Sequence, residues 1–302
     1  MVKIFIDGSA GTTGRRIAER LAGREDLRVT ALPEEKRKDA AARAAALNAA
    51  DVAILCLPDA AAREAVGWID DPDTVVLDTS TAHRTAPGWA YGFPELSAAH
   101  AQAVRTAKRI AVPGCHASGF IALTAPLAAA GIIPVGTQLT CFSLTGYSGG
   151  GKSMIGQYTA QPRPEGLHAP RQYALGQTHK HLPEMAAQSG LPAPLFCPVV
   201  GDYYSGMQVT VPLSAAQCAP GTTPEVIAEV YRAAYPGPVV TYVDTPTKDG
   251  FLSAAALAGK DTMQIAVTGN AERMLLLAVY DNLGKGASGA SVECLNMVLG
   301  TD

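Results

Sequence analysis

Short apolar runs alternate with helical stretches through the first third of the chain, and this alternation constrains the fold more than any other feature. Residues 2–6 form a β-branched and aromatic run, followed by a glycine cluster and an amphipathic stretch over 15–21. Residues 27–32, 52–57 and 74–77 read as further strands, with helices over 39–49 and 59–68 between them. Parallel strands need a crossover connection, and strands apolar along their whole length need cover on both faces. The first third is therefore expected to be a doubly wound α/β unit on a parallel sheet. After Cys115 the rhythm changes: strands over 138–144, 207–212, 239–243 and 264–268 are separated by long Gly/Pro-rich connections, which suits a second, mixed or antiparallel α+β domain. The segment 285–299 reads as an amphipathic helix expected to pack back on the first domain. There is no internal repeat and no low-complexity linker.

With 302 residues the chain is long enough for two domains, and 48% hydrophobic against 17% charged residues describes a globular protein. A formal net charge of −3 offers no footprint for a polyanion, so nucleic acid is not an expected partner. The start of the chain enters a strand directly, without the basic region and apolar stretch of a signal peptide. The longest apolar stretch, 120–135, is interrupted by Pro126, Gly131 and Pro134, and no membrane segment is expected. Cys56, Cys115, Cys141, Cys197, Cys218 and Cys294 are scattered singly, which suits free thiols in a reducing, cytoplasmic compartment and no metal finger.

Gly8-Ser9-Ala10-Gly11-Thr12-Thr13-Gly14 joins the first strand to the first helix. In such a turn one glycine permits the tight bend, one lets the backbone approach a diphosphate, and one allows close helix packing. Amide N–H groups and the helix dipole then face the phosphates. The spacing is G-x-x-G-x-x-G and not the commoner G-x-G-x-x-G, and a purely structural turn is the alternative. Behind the second strand, Glu34-Glu35 is followed by Lys36-Arg37-Lys38, whose charge suits the 2′-phosphate of NADP. The bland reading of that cluster is a solvated helix start.

Residues 146–153, Gly-Tyr-Ser-Gly-Gly-Gly-Lys-Ser, match the phosphate-binding G-x-x-x-x-G-K-[ST] pattern letter for letter. A nucleotide-hydrolysing loop needs a long helix behind its lysine, yet Gln161-Pro162-Arg163-Pro164 leaves room for barely two turns. The segment is expected instead to be a flexible glycine loop near the substrate.

Cys115 lies in Val112-Pro113-Gly114-Cys115, between a strand-like run over 109–112 and an apolar, alanine-rich helical stretch. A cysteine at a helix N-terminus has its thiolate stabilised by the dipole, so Cys115 is expected to be a nucleophile. A thiolate that forms a thioester needs acid/base partners, and Thr178-His179-Lys180-His181-Leu182-Pro183-Glu184 supplies two imidazoles and a carboxylate. H-x-H with a nearby acid is also a conceivable metal site, but no third ligand cluster accompanies it. His83, His100, His116 and His168 default to surface or packing roles.

Taken in order, the glycine turn, Asp78-Thr79-Ser80-Thr81-Ala82-His83-Arg84, Tyr91-Gly92-Phe93-Pro94-Glu95, the Cys115 turn, His179–Glu184 and Asp281-Asn282-Leu283-Gly284-Lys285 resemble the N-acetyl-γ-glutamyl-phosphate reductases, in their compact bacterial form, within the semialdehyde dehydrogenase superfamily. The resemblance covers nearly the whole chain. It implies that Cys115 attacks an acyl phosphate, inorganic phosphate leaves, and NADPH reduces the thioester to a semialdehyde. It also implies that His181 with His179, and Glu184 beside them, form the acid/base element. Ser80 and Arg84 would hold anionic groups of the substrate, Asn282 would face the cofactor and Lys285 the substrate. His116 and Ser118 depart from the aromatic and threonine usual in the longer enzymes. The expected organisation is 1–114 with 283–302 as the NADP-binding domain and 115–282 as the catalytic and oligomerisation domain of a homo-oligomer, dimer or tetramer. A related reductase of aspartyl or N-acetyl-aminoadipyl phosphate and, more remotely, a P-loop NTPase are the alternatives.

Overall fold

The computed structural model describes residues 1–301, and the chain divides into two compact units. The first comprises Met1–Gly114 together with the C-terminal segment from Ala287; the second is Cys115–Gly286.

In the first unit β1 (Val2–Asp7), α1 (Thr12–Leu21), β2 (Leu27–Thr30), α2 (Ala40–Asn48), β3 (Val52–Leu55), α3 (Asp59–Gly67), β4 (Val75–Asp78), β5 (Ala90–Tyr91), α4 (Ala98–Thr106) and β6 (Arg109–Ala111) follow one another. The strands pair in parallel in the order β2-β1-β3-β4-β6-β5. Successive side chains of a strand point to opposite faces. Ile4 and Ile6 therefore join Ile17, Leu21 and Leu295 on one side, while Phe5 joins Leu47, Ala53 and Ala65 on the other. Strands apolar along their length are thus buried on both faces, the condition that makes them parallel. The strand order reverses between β1 and β3, so a crevice opens beyond their carboxyl ends, where doubly wound sheets bind ligands.

The second unit runs through α5 (Cys115–Ala129), β7 (Thr140–Gly146), α6 (Gly151–Thr159), β8 (Arg171–Gln172), α7 (Leu182–Ser189), β9 (Leu195–Gly201), β10 (Met207–Ser214), α8 (Pro224–Ala234), β11 (Val240–Tyr242), β12 (Met263–Gly269) and β13 (Arg273–Tyr280). Its mixed sheet has the order β11-β12-β13-β10-β7-β9-β8. The alternation of β10, with Met207, Val209, Val211 and Leu213 buried, identifies the face that α5 covers. Pro126 removes the N–H that would bond the Ala122 carbonyl four residues back. Tyr235 Oη, just past α8, donates to that carbonyl at 2.8 Å and so replaces the lost bond, while Tyr231 Oη of α8 donates to the neighbouring Leu123 O at 2.7 Å.

The segment expected as one helix over 285–299 is a short π-helical turn, Gly284–Ser288, followed by α9 (Gly289–Leu299). α9 packs in the first unit through Ala290, Cys294 and Leu295.

Candidate active site

α5 begins at Cys115, which is half-buried. The first turn of the helix is held from outside by Tyr280, at the end of β13. Its hydroxyl donates to the Cys115 carbonyl at 2.5 Å and accepts the Gly119 N–H at 3.1 Å. A Cβ on Gly119 would meet that hydroxyl at 2.6 Å, so the glycine makes the contact possible. On another side Gly286 approaches so closely that a Cβ there would stand 3.0 Å from the Cys115 Cβ. The thiol is thus fixed at a helix N-terminus, where the dipole favours a thiolate.

Next to it, His116 is buried at 3% exposure. Its Nδ1 lies 2.7 Å from Ser143 Oγ of β7 and its Nε2 2.6 Å from the Tyr173 hydroxyl. The rings of His179 and His181 stand 5.5 and 5.7 Å from it, and 4.7 Å from each other. His179 Nδ1 accepts the His181 N–H at 3.1 Å, so that nitrogen carries no proton and the ring is anchored to its own backbone. His181 precedes α7 and is 5% exposed; Glu184, in the first turn of α7, is 2% exposed. α7 packs on α5, and the charges of Cys115 and Glu184 both act on Tyr280, whose phenol burial already holds far above its ordinary range. The structure therefore gathers Cys115, His179, His181 and Glu184 in one unit, and adds His116, Ser143, Tyr173 and Tyr280. Of the surface or packing role expected for His116, the structure shows burial, with a hydroxyl at each ring nitrogen and Cys115 as its chain neighbour.

The turn after β13 is a second brace. Asp281 accepts the Leu283 N–H at 2.7 Å, the Ser205 hydroxyl at 3.2 Å and the Gly259 N–H. Asn282 accepts the Gly206 N–H at 2.9 Å and donates to Ser148 Oγ at 3.0 Å, and Lys285 is buried at 2% exposure. Asn282 thereby ties the glycine loop after β7 to β10. The expected flexible loop needs correcting. Residues 147–150 form a 3-10 turn, and the N–H groups of Gly146, Tyr147 and Ser148 are bonded to the carbonyls of Gly206, Tyr203 and Tyr204. The start of the segment is therefore tied to the 203–206 stretch, and α6 behind it has 9 residues, short of the long helix that a nucleotide-hydrolysing loop needs.

In the first unit the glycine turn stands at the β1/β3 switch point. Gly8 has φ +86°, and a Cβ there would lie 2.2 Å from the Cys56 carbonyl oxygen; one on Gly14 would lie 2.5 Å from the Gly8 oxygen. α1 starts after Gly11 without a side-chain cap, which leaves its first amides to a ligand. A cleft of about 250 Å³ opens there, lined by Gly8, Ser9, Ala10 and Gly11 with Glu34 and Arg37 at its other wall. Thr12 Oγ1 is buried and has no hydrogen-bond partner among the described residues. Thr13 and the buried Gly14 continue the helix. A diphosphate with an attached nucleoside fits these features. Asp7, just before the turn, has its charge taken up by Arg43 at 3.0 Å. Lys36 and Arg37 are exposed on a turn, with Arg37 paired to Glu34.

Asp78 organises the following loop: Ser80 Oγ donates to it at 2.7 Å and His83 Nδ1 lies 2.6 Å away, with His83 stacked on Trp89 at 4.0 Å. Arg84 Nε and Nη2 donate to Val112 O and Thr79 O, both at 2.9 Å, which fixes the plane of its guanidinium.

Family models described as semialdehyde dehydrogenase, NAD binding domain and dimerisation domain match residues 3–104 and 115–282. The chain is 46% identical to the N-acetyl-gamma-glutamyl-phosphate reductase of Rhizobium leguminosarum bv. trifolii over 98% of each chain. It is 45% identical to that of Burkholderia lata over 98% of this chain and 96% of the other. Among solved structures, the aspartate semialdehyde dehydrogenase of Francisella tularensis matches with TM-score 0.75 at 14% identity, covering 99% of this chain and 100% of the other. The Candida albicans enzyme with NADP matches with TM-score 0.68 at 13% identity over 100% and 99%. At such identities these two structures bear on the fold alone.

Proposed function

The chain belongs to the semialdehyde dehydrogenase family, and we propose that it reduces N-acetyl-γ-glutamyl phosphate to N-acetylglutamate 5-semialdehyde and inorganic phosphate with NADPH, through a thioester on Cys115. The observation that carries this reading is the half-buried Cys115 at the head of α5, beside the turn that bears His179, His181 and Glu184.

In the first step the Cys115 thiolate attacks the acyl carbon. A C–S bond forms, the C–O bond to phosphate breaks, and phosphate leaves with the electron pair. Gly8, Ser9, Ala10, Gly11, Thr12, Thr13 and Gly14 would hold NADPH, with Lys36 and Arg37 at its 2′-phosphate, and the bound cofactor would supply the hydride that takes the thioester to a hemithioacetal. His181 gives a proton to the oxygen in that change and takes it back as the C–S bond breaks and the thiolate returns. His179, anchored through Nδ1, positions the His181 backbone, and Glu184 orients the pair. The fixed guanidinium of Arg84, with Ser80 shaping its loop, suits an anionic group of the substrate, and Lys285 beside Gly286 suits another. Asn282 acts on the cofactor side through the loop it braces.

The sheet face of the second unit not covered by α5 presents Phe142, Leu144, Leu195, Val199, Pro212 and Leu275, with Phe142 44% and Leu275 43% exposed. Two copies of the chain meet through this face, in a segment whose family model is named for dimerisation. Among the described residues no helix is long and apolar enough to cross a membrane, and the six free cysteines suit a cytoplasmic enzyme.

The test is NADP⁺ reduction with N-acetylglutamate 5-semialdehyde and phosphate, run against aspartate 5-semialdehyde. Activity with the first, abolished by Cys115→Ala and retained by Lys152→Ala, is the expected result. Activity only with the aspartyl compound would overturn the substrate, and loss on Lys152→Ala alone would restore the NTPase reading.

A further inference from the structure

His116 is a fully enclosed imidazole with a hydroxyl at each nitrogen, Ser143 on one side and Tyr173 on the other. A neutral imidazole has one N–H and one lone pair, so it donates to one of these hydroxyls and accepts from the other. Burial, reinforced by the charge of His179, lowers its pKa to about 3, so the ring is neutral through the working range. Tyr173 keeps its proton as well: burial first, and then the charge of Cys115, push its phenol upward. That second influence puts the phenol within electrostatic reach of the nucleophile. When His116 gives its Nε2 hydrogen to the Tyr173 oxygen and takes the Ser143 hydrogen at Nδ1, the phenol hydrogen is left for another acceptor in the pocket.

Resting on Cys115 as the nucleophile, we infer that Tyr173 is a further catalytic residue, its O–H donating to the acyl oxygen of the Cys115-bound intermediates, and that His116, backed by Ser143, is the positioning residue that aims it. An acyl carbon attacked by a thiolate or by hydride puts negative charge on its oxygen. A donor fixed before the reaction stabilises that charge without reorganisation. His116 is suited to aiming and not to proton transfer, because both nitrogens are engaged and the ring does not charge. The titratable groups that face it are His179 and His181 from the turn leading into α7, Tyr173 from the segment after β8, and Cys115 at its own helix start; β7 and β9 present the uncharged Ser143 and Phe196.

The experiment measures kcat, KM and pH–rate profiles for Tyr173→Phe, His116→Met, His116→Gln, Ser143→Ala and Cys115→Ala, with thermal unfolding of each. Tyr173→Phe should lower kcat by about 10²-fold with KM nearly unchanged, as expected for loss of one oxyanion donor. His116→Met should lose a comparable factor. His116→Gln, which returns an N–H near the Nε2 position, should recover at least about tenfold over Met at similar stability. Ser143→Ala should fall in the same direction by less, and it serves as the second variant if His116→Met does not fold. All active variants should keep the wild-type pH limbs, since the aiming pair does not titrate. Wild-type kcat in Tyr173→Phe, no advantage of Gln over Met at equal stability, or a limb lost with His116 would each overturn the inference. Turnover by Cys115→Ala would instead remove the reading beneath it, whatever Tyr173→Phe does.

Discussion

The imidazoles of His179 and His181, two positions apart, differ in that one of them has a nitrogen bonded to the backbone. His179 Nδ1 accepts the His181 N–H, while His181 sits at the start of α7 with 5% exposure. Replacing His181 by Asn should lower kcat by about 10²–10⁴ and leave cofactor binding nearly unchanged, as turnover and a cofactor titration would show. His116 makes a separate prediction about stability. Its pKa is about 3 in the fold and near the ordinary 6.5 when unfolded. Between those values the unfolded chain binds more protons, so stability falls as pH falls, by at most ~1.4 kcal/mol per pH unit for this group. Urea unfolding at about pH 7 and about pH 4 should show a shallower loss in His116→Phe than in wild type; equal slopes would contradict the neutral assignment. Cys115, His179, His181 and Glu184 were legible as candidates because each lies in a local turn or short cluster. Tyr173, Ser143, Tyr280 and Gly286 were not, since what brings them to Cys115 is strand pairing and close approach between distant positions, 165 residues apart for Tyr280.

The element that carries the nucleophile depends on two departures from ideal helix chemistry. Pro126 strips the Ala122 carbonyl of its helical partner and Tyr235 replaces it, while Gly119 gives up packing so that Tyr280 can reach the first turn. Gly119→Ala should therefore cost about 1–3 kcal/mol by overpacking, despite the better helix propensity of alanine, and lower kcat as the Cys115 turn shifts. Urea unfolding and turnover of that one variant check both; a gain in stability would contradict the packing account. Strands and helices over residues 2–78 followed from periodicity with ends off by up to three residues, whereas β5 and α4 were not anticipated. β13 did not, because Arg273–Tyr280 is apolar almost throughout, on the open face of the sheet as well as on the face under α5, and so lacks the apolar/polar alternation that marks a strand. The glycine loop at 146–153 misleads in the other direction: its letters match a phosphate loop, but its first three amides are bonded to the 203–206 segment, which no local pattern announces.

At the scale of the molecule, the sheet face bearing Phe142 and Leu275 should be shared between two copies. Light scattering should give twice the chain mass, and Phe142→Glu with Leu275→Glu should give the chain mass without unfolding; a wild-type monomer would contradict the proposed interface. One cysteine of six should carry the substrate's acyl group. Mixing the protein with N-acetyl-γ-glutamyl phosphate in the absence of NADPH, quenching rapidly in acid and measuring intact and peptide masses tests it most directly. One added N-acetylglutamyl group per chain is expected, on the peptide that contains Cys115, removed when NADPH is supplied before the quench. Absence of the adduct, or its appearance on another cysteine, would contradict it.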